Sequence, residues 1–417
     1  MRILVVGGGG REHALAWKLS QEAEVFAAPG NPGIAEVAEI INVAASAHEA
    51  LIEAAKERSI DLVVVGPEDP LIAGLADDFR NAGFAVVGPN AEGAQHESSK
   101  AFSKAMMQRA GVPTAEHYSF TDLSLATEYA RSRFDAGRKA VIKASGAALG
   151  KGVTVCDTFE EASEALEMMF GGGLGEAGKT VVVEDRIIGR EFSLLALVNE
   201  VDARALPVAQ DHKRAFDGDQ GPNTGGMGTF SPVDWLSQDI VEESMAQIVK
   251  PIMQQMQTEG ISYRGVLFAG IMVCEGRPYC LEYNVRFGDP ETQSVMRRLG
   301  DGFAESLADT AHGRRISALD VYRHASATVI LASGGYPGSV QKGFEIQIGD
   351  LDKDIVVFHS GTALKDGKLV TNGGRVLGVS AVGDSVEAAS ARAYAACEQI
   401  NFDGMMLRRD IGRVQNP

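Results

Sequence analysis

Three short apolar runs each break on a glycine, and this repeated break constrains the fold more than any other feature of the chain. Ile3-Leu4-Val5-Val6 runs into Gly7, residues 61–65 run into Gly66-Pro67, and residues 84–87 run into Gly88-Pro89. Runs this short and this uniformly apolar read as strands buried on both faces of a parallel sheet, and the glycines as turns leading into helices. An amphipathic helical pattern at 13–19, just behind the first turn, agrees. Residues 1–102 are therefore expected to form a doubly wound α/β domain whose ligands sit at the carboxyl ends of its strands.

The chain of 417 residues exceeds what one core serves, at a soft prior of about 150 residues per domain. A helix at 99–110, stopped by Gly111-Val112-Pro113, leads into strands at 140–143 and 180–184 with a helix at 159–170 between them. This small α+β unit, about 115–187, has glycine-rich ends that suit a lid. A long polar loop at 211–231 follows, then a helix at 237–259 and paired strands at 265–274 and 278–283. Strands at 327–331, 355–359 and 376–381 and a helix at 385–399 complete a mixed domain. The expected boundaries are 1–102, 103–311 and 312–417.

The four cysteines are scattered without a C-x-x-C pair, so no zinc site or disulfide framework is readable. No apolar stretch has the length of a membrane span, and the first run breaks too early for a signal peptide, so a cytoplasmic protein is expected. A net charge of −17 disfavours nucleic acid and anionic membranes as partners. It does not exclude anionic small molecules, because local lysines, backbone N–H groups and a cation can build a positive pocket.

The turn Gly7-Gly8-Gly9-Gly10-Arg11-Glu12-His13 lacks the third glycine and the later acid of a dinucleotide fingerprint, which counts against a nicotinamide oxidoreductase. It reads either as a phosphate-binding turn or as a structural one. Lys143, followed by Ser145, Gly146, Gly150, Lys151 and Gly152, fits a glycine hairpin folding over a nucleotide, since the spacing is wrong for a Walker A loop. The alternative is a glycine-rich surface hairpin. The stretch 181–191 reads as a strand running into a polar bend whose backbone could pair with an adenine edge. On the strand 279–284, Glu282 and Asn284 share one face with Arg286 next along it. Two hard oxygens there can hold magnesium against a polyphosphate, on the expectation that the strand is buried. The loop 210–228 mixes acids, bases and amides with glycines, and by itself is either a site or solvated surface.

Taken together, these segments resemble the ATP-grasp ligases, and over essentially the whole chain they are similar to the glycinamide ribonucleotide synthetase (phosphoribosylamine–glycine ligase) family. The strings that carry the likeness are Gly9-Gly10-Arg11-Glu12-His13-Ala14-Leu15-Ala16-Trp17, Val65-Gly66-Pro67-Glu68, Ser99-Lys100-Ala101-Phe102, Gln210-Asp211-His212-Lys213-Arg214, residues 221–228, Arg286-Phe287-Gly288-Asp289-Pro290-Glu291-Thr292 and Asn372-Gly373-Gly374-Arg375-Val376. The resemblance implies an ATP-grasp region at 103–311 and ligation of glycine to 5-phospho-β-D-ribosylamine through glycyl phosphate in purine biosynthesis. ATP would be co-substrate and magnesium, or manganese, the cation. A monomer or a dimer is implied, with only small molecules as partners.

By the same resemblance Glu282 and Asn284 would hold the metal. Lys100 or Lys104, Lys143, Ser145, Gly146, Gly150, Lys151 and Gly152 would meet ATP phosphates. Glu184, Asp185, Arg186 and Ile187 would receive adenine, and Glu191 the ribose. Arg286, Lys213 and Asp211 would serve the chemistry, while Gly10, Glu12, Glu68, Asn223, Thr224, Gly225, Asp289, Glu291 and Arg375 would surround the other substrates. Three positions depart from the family pattern: Gly8 stands for an asparagine, Ser145 for an aspartate and Arg186 for a hydrophobic residue. The alternatives are another ATP-grasp carboxylate–amine ligase of purine metabolism, and a nucleotide-binding protein without catalysis.

Overall fold

The three glycine-broken runs stand side by side in one parallel sheet. The structure, a computed structural model, describes residues 1–146 and 152–413. In chain order the first domain runs β1 (Arg2–Gly7), α1 (Gly10–Leu19), β2 (Glu24–Pro29), β3 (Glu39–Ile40), α2 (His48–Glu57), β4 (Leu62–Val65), α3 (Glu68–Ile72), α4 (Leu75–Asn81), β5 (Ala85–Val87) and α5 (Gln95–Ser98). The strand order is β3-β2-β1-β4-β5, parallel throughout. Ile3 and Val5 enter one apolar cluster while Leu4 and Val6 enter another, which is why the run carries no polar alternation. Because the order turns back at β1, the loops after β1 and β4 open side by side at the carboxyl edge.

Helix α6 (Lys100–Ala110) leads out of this domain, capped by the Ser99 hydroxyl and ended by Gly111 at φ +66°. Next come β6 (His117–Phe120), α7 (Leu123–Asp135), β7 (Ala140–Ala144), β8 (Val153–Cys156), α8 (Phe159–Met168) and β9 (Val181–Asp185). They make an antiparallel sheet, β6-β9-β7-β8, that shares with α7 and α8 an apolar cluster built within this unit alone. Helix α8 stops two residues short of the expected end: a wider turn at 169–173 follows, and Gly172 at φ +87° leaves helical space.

The chain continues through β10 (Arg190–Val198), β11 (Ala203–Ala205), β12 (Gln210–Asp211), β13 (Arg214–Phe216), β14 (Gln220–Asn223), β15 (Gly228–Ser231), α9 (Gln238–Ser244), α10 (Lys250–Thr258), β16 (Gly265–Cys274), β17 (Arg277–Asn284), α11 (Glu291–Val295) and α12 (Phe303–Ala311). An antiparallel sheet, β11-β10-β16-β17, leaves β17 at its edge. The helix expected at 237–259 is α9 and α10 joined by a wider turn at 245–249, next to Pro251, which has no N–H for the ladder.

The last domain holds β18 (Ala325–Ala332), β19 (Gln347–Ile348), β20 (Val356–His359), β21 (Thr362–Lys365), β22 (Lys368–Thr371), β23 (Arg375–Gly383), α13 (Val386–Cys397) and β24 (Ile400–Asn401). Its main sheet is ordered β12-β15-β18-β23-β20. The expected polar loop at 211–231 is thus corrected. Its ends are strands of this sheet, β15 being wholly buried, and its middle is the exposed hairpin β13–β14. No helix among the described residues is long and apolar enough to cross a membrane.

Candidate active site

A cavity of about 260 Å³ opens where α3, α6, the β6-β9-β7-β8 sheet and β17 meet, and Glu68, Lys100, Lys104, Lys143, Glu282 and Asn284 all line it. Two of its three lysines are held by one carboxylate. Glu184, nearly fully buried, pairs with Lys104 at 2.7 Å and with Lys143. Burial alone would raise the Glu184 carboxyl, yet Lys143 and then Lys104 outweigh it and bring it to about 2. Lys104 also donates to the Thr114 hydroxyl at 2.6 Å, which donates on to the Cys280 carbonyl at 2.6 Å. Lys100 has no such anchor among the described residues, and burial depresses its pKa despite the attraction of Glu282. Of the two lysines one turn apart on α6, Lys100 is the one left to answer a ligand.

Glu282 and Asn284 do project from one face of β17, but the expected burial is wrong for Glu282, which is exposed in the cleft. The reason is the edge position and a bulge: Gly270 faces Glu282 while Ile271 faces Cys280, leaving Leu281 as the extra residue. Strict alternation would put Cys280 on the face of Glu282. The bulge sends Cys280 and Tyr283 both into the core and keeps the two oxygen-bearing side chains in the cavity. Two hard oxygens beside two lysines suit a small divalent cation that takes its remaining ligands from phosphate and water.

Several expected ATP residues are placed differently. The Ser145 hydroxyl accepts the Ala101 N–H at 3.0 Å, and its carbonyl accepts the Lys100 N–H at 2.8 Å. Ser145 therefore helps cap α6. Gly146 and Gly152 are the described residues nearest 147–151, while Gly150 and Lys151 lie outside the described residues. Asp185 points to the outer face, bound to Arg133 and Arg138, and Arg186 pairs with Asp157 at 2.7 Å. The Asp185 and Arg186 amides donate to the Glu116 and Lys139 carbonyls. Among the described residues the Ile187 N–H has no such partner, so it is an open donor of the bend expected to receive adenine.

A second group forms on the far side of β10. Lys213 binds Asp211 at 2.9 Å and 3.0 Å, and Glu291 accepts the Ser193 hydroxyl at 3.0 Å. Burial raises the Glu191 carboxyl even against the pull of Lys213. Thr224 ties the following loop to Lys213 by its N–H and its hydroxyl, both donated to the Lys213 carbonyl, and Asn223 stays exposed. Arg375 then gathers the loop and the 286–292 string, donating to the Gly225 and Asp289 carbonyls and pairing with the Asp289 carboxylate at 3.1 Å.

The N-terminal turn closes this end. Gly10 lies against the Ser360 hydroxyl and the Gln293 amide. Glu12 is buried, accepts the Gly9 N–H at 2.6 Å and fills the gap beside Gly7 and Gly66, so its carboxylate serves the turn itself. Arg11 reaches Glu12, Glu68 and the Phe287 carbonyl, and Glu68 reaches Arg286 at 3.2 Å. Sequence reasoning passed over Glu97, Thr114, Ser193 and Tyr336, whose hydroxyl accepts the Gly225 N–H at 3.0 Å. Nothing in their local strings marks them.

The loop geometry is testable at Gly226. It sits at φ +107°, and a Cβ there would meet Pro290 at 2.4 Å. Gly226→Ala is expected to cost about 1–3 kcal/mol in backbone strain alone and to cripple turnover by moving Gly225 off Arg375. Melting curves and steady-state rates check this, and a variant with wild-type values for both would show that the close approach is dispensable.

Comparison with known proteins places these segments in a family. Residues 1–97, 98–292 and 326–414 match the N domain, the ATP-grasp (A) domain and the C domain of phosphoribosylglycinamide synthetase. The chain is 47% identical to a phosphoribosylamine–glycine ligase of Agrobacterium fabrum, over 99% of this chain and 98% of that protein. It is 46% identical to part of the trifunctional purine biosynthetic protein adenosine-3 of Gallus gallus, covering 99% of this chain and 42% of that one. The crystal structure of a phosphoribosylamine–glycine ligase from Thermotoga maritima superposes with a TM-score of 0.87 at 34% identity, covering 98% and 100% of the two chains. A biotin carboxylase domain from Hydrogenobacter thermophilus shares the fold, with a TM-score of 0.75 at 18% identity over 97% and 91%.

Proposed function

The chain belongs to the phosphoribosylglycinamide synthetase family, and on that premise we propose that it joins glycine to 5-phospho-β-D-ribosylamine with cleavage of ATP to ADP and phosphate. The product is glycinamide ribonucleotide, in purine biosynthesis. The observation that carries the reading is spatial: the cavity holds the lysines and the Glu282–Asn284 face, Arg286 at its strand end meets Arg11 of the N-terminal turn on Glu68, and Arg375 ties Asp289 to the Gly225 loop.

The residues divide the work between them. Lys100 and Lys143 meet the phosphates, and the Ile187 N–H meets the adenine edge. The ATP-grasp fold binds ATP with a divalent cation; here magnesium, or manganese, would sit on Glu282 and Asn284 and supply neutralising charge to the phosphates. Lys213 and Arg286 hold the glycine carboxylate in line, so that its oxygen attacks the γ-phosphorus and the bond to ADP breaks. The amine nitrogen of phosphoribosylamine then attacks the carbonyl of glycyl phosphate, and inorganic phosphate leaves. Asp289, Arg375 and the N-terminal turn orient that amine's sugar. Such chemistry needs positioning and charge more than a covalent nucleophile. Boundaries at 102 and 311, a lid at about 115–187, a cytoplasmic setting and small molecules as the only partners belong to the same proposal.

Phosphate release should require ATP, magnesium, glycine and phosphoribosylamine together. Equal turnover with aminoimidazole ribonucleotide and bicarbonate in place of the last two would overturn the substrate assignment and favour another ligase of the same superfamily.

A further inference from the structure

Glu97 belongs to none of the site strings, yet it lines the lysine-bearing cavity and bridges two domains there. It lies in α5, three residues ahead of Lys100, and its carboxylate reaches the end of β17. One oxygen accepts the Val285 N–H at 2.8 Å, and the other takes the Arg286 guanidinium at 2.8 Å. Val285 stands between Asn284 and Arg286, so a single carboxylate fixes both the backbone and the side chain of the strand end that faces the cavity. Arg286 also touches the Asn284 side-chain oxygen at 3.4 Å and Glu68 at 3.2 Å.

The two carboxylates on Arg286 are not equivalent. The Glu68 side chain is 38% exposed and that of Glu97 only 12%. The longer, wetter contact is the one a phosphoryl or carboxylate oxygen can replace, while the shorter, drier one stays. We propose that Glu97 is a positioning residue for phosphoryl transfer, holding Asn284 and Arg286 in register with the N-terminal domain while Glu68 gives way to substrate. This rests on the functional reading above. The rival account is a staple between domains with no bearing on the chemistry.

Glu97→Gln separates the two, because the amide keeps an acceptor for the Val285 N–H but turns donors toward the guanidinium or loses that bond. In the full-length protein kcat should fall about 10–100-fold, with KM for glycine little changed and the fold retained by circular dichroism. The magnesium needed for half-maximal binding of a nonhydrolysable ATP analogue, read by calorimetry, should rise by a comparable factor. The double variant Glu97→Gln/Arg286→Gln should be no slower than Arg286→Gln alone. A normal kcat with a lowered melting temperature, or effects that multiply in the double variant, overturns the proposal. Should Glu97→Gln fail to fold, Arg286→Lys, which has no fork to span two carboxylates, should shift the magnesium dependence, and an unchanged dependence overturns the proposal equally. Calorimetry reads this coupling even if the wild type does not turn over glycine and phosphoribosylamine, so the two readings fail separately.

Discussion

Glu282→Gln is expected to stop turnover while leaving the fold in place. The side chain is exposed in the cavity, and its carboxylate makes no hydrogen bond or ion pair among the described residues. Replacing it by an isosteric amide therefore orphans no buried partner, and the usual large cost of breaking a paired charge does not arise. What changes is the field in the cavity. Lys100 and Lys143 both sense Glu282, and two lysines with a neutral amide leave a cation facing positive charge with one anionic ligand fewer. Removing a preorganised charge partner of phosphoryl transfer costs roughly 3 kcal/mol or more, about a hundredfold or more in rate. The measurement is kcat across a magnesium titration, beside a melting curve. A near-normal rate at low magnesium would make Glu282 an ordinary surface carboxylate.

The parts of the fold that were readable are those whose physics is local. Strands β1, β4 and β5 are buried on both faces, so each reads as an unbroken apolar run, and Ser99 and Gly111 mark the two ends of α6. Helix α12 went unread although Phe303, Ala304, Leu307, Ala308 and Ala311 recur at helical spacing, because it is only nine residues long and buries polar Ser306, Asp309 and Thr310 along with the apolar ones. Strands β12 and β15 were hidden for another reason. They are two and four residues long and owe their existence to backbone pairing with β18 and with each other, which no periodicity records.

The site divides in the same way. The shared face of Glu282 and Asn284 follows from strand geometry, and the bulge that clears Cys280 from that face does not. Ser145 looks like a phosphate ligand in its string, yet it meets the start of α6, 44 residues away, because two amides there needed acceptors. Glu97 lies 188 residues from its backbone partner. Residues of this kind become visible only when the domains are brought together, and they are the ones that set the alignment of groups the sequence already displays.

That dependence of the site on distant packing sets the second large effect, at Arg408. Arg408 is 0% exposed, and its guanidinium donates to Asp410 at 2.7 Å and 2.6 Å, to Asp219 at 2.6 Å and to the Arg214 carbonyl at 3.1 Å. Asp410 in turn accepts the Gly218 N–H at 2.9 Å, so the C-terminal segment clamps the β13–β14 hairpin that follows Lys213 and ends at Asn223. Arg408→Met keeps most of the volume but leaves two carboxylates facing a thioether. Breaking a buried pair costs about 3–5 kcal/mol, and the lower end applies because Asp219, nearly half exposed, can turn to water. Burial would raise the Asp410 carboxyl, but the bonds from Arg408 and from the Gly218 N–H outweigh it and lower it from 3.8 to about 2. A depressed carboxyl contributes stability that is complete above its unfolded pKa and is lost as pH falls through the folded one. The stability gap between wild type and Arg408→Met should therefore be full at neutral pH and narrow from about pH 4 towards pH 2. KM for glycine should rise as the hairpin loosens, while binding of an ATP analogue in the cavity between α6 and β17 stays within a few-fold. Urea unfolding at several pH values, with steady-state kinetics, reads all three. Equal stability of the two proteins at pH 7 would show that the clamp contributes nothing net, and a parallel loss of nucleotide binding would show that it acts on the whole molecule and not on the hairpin.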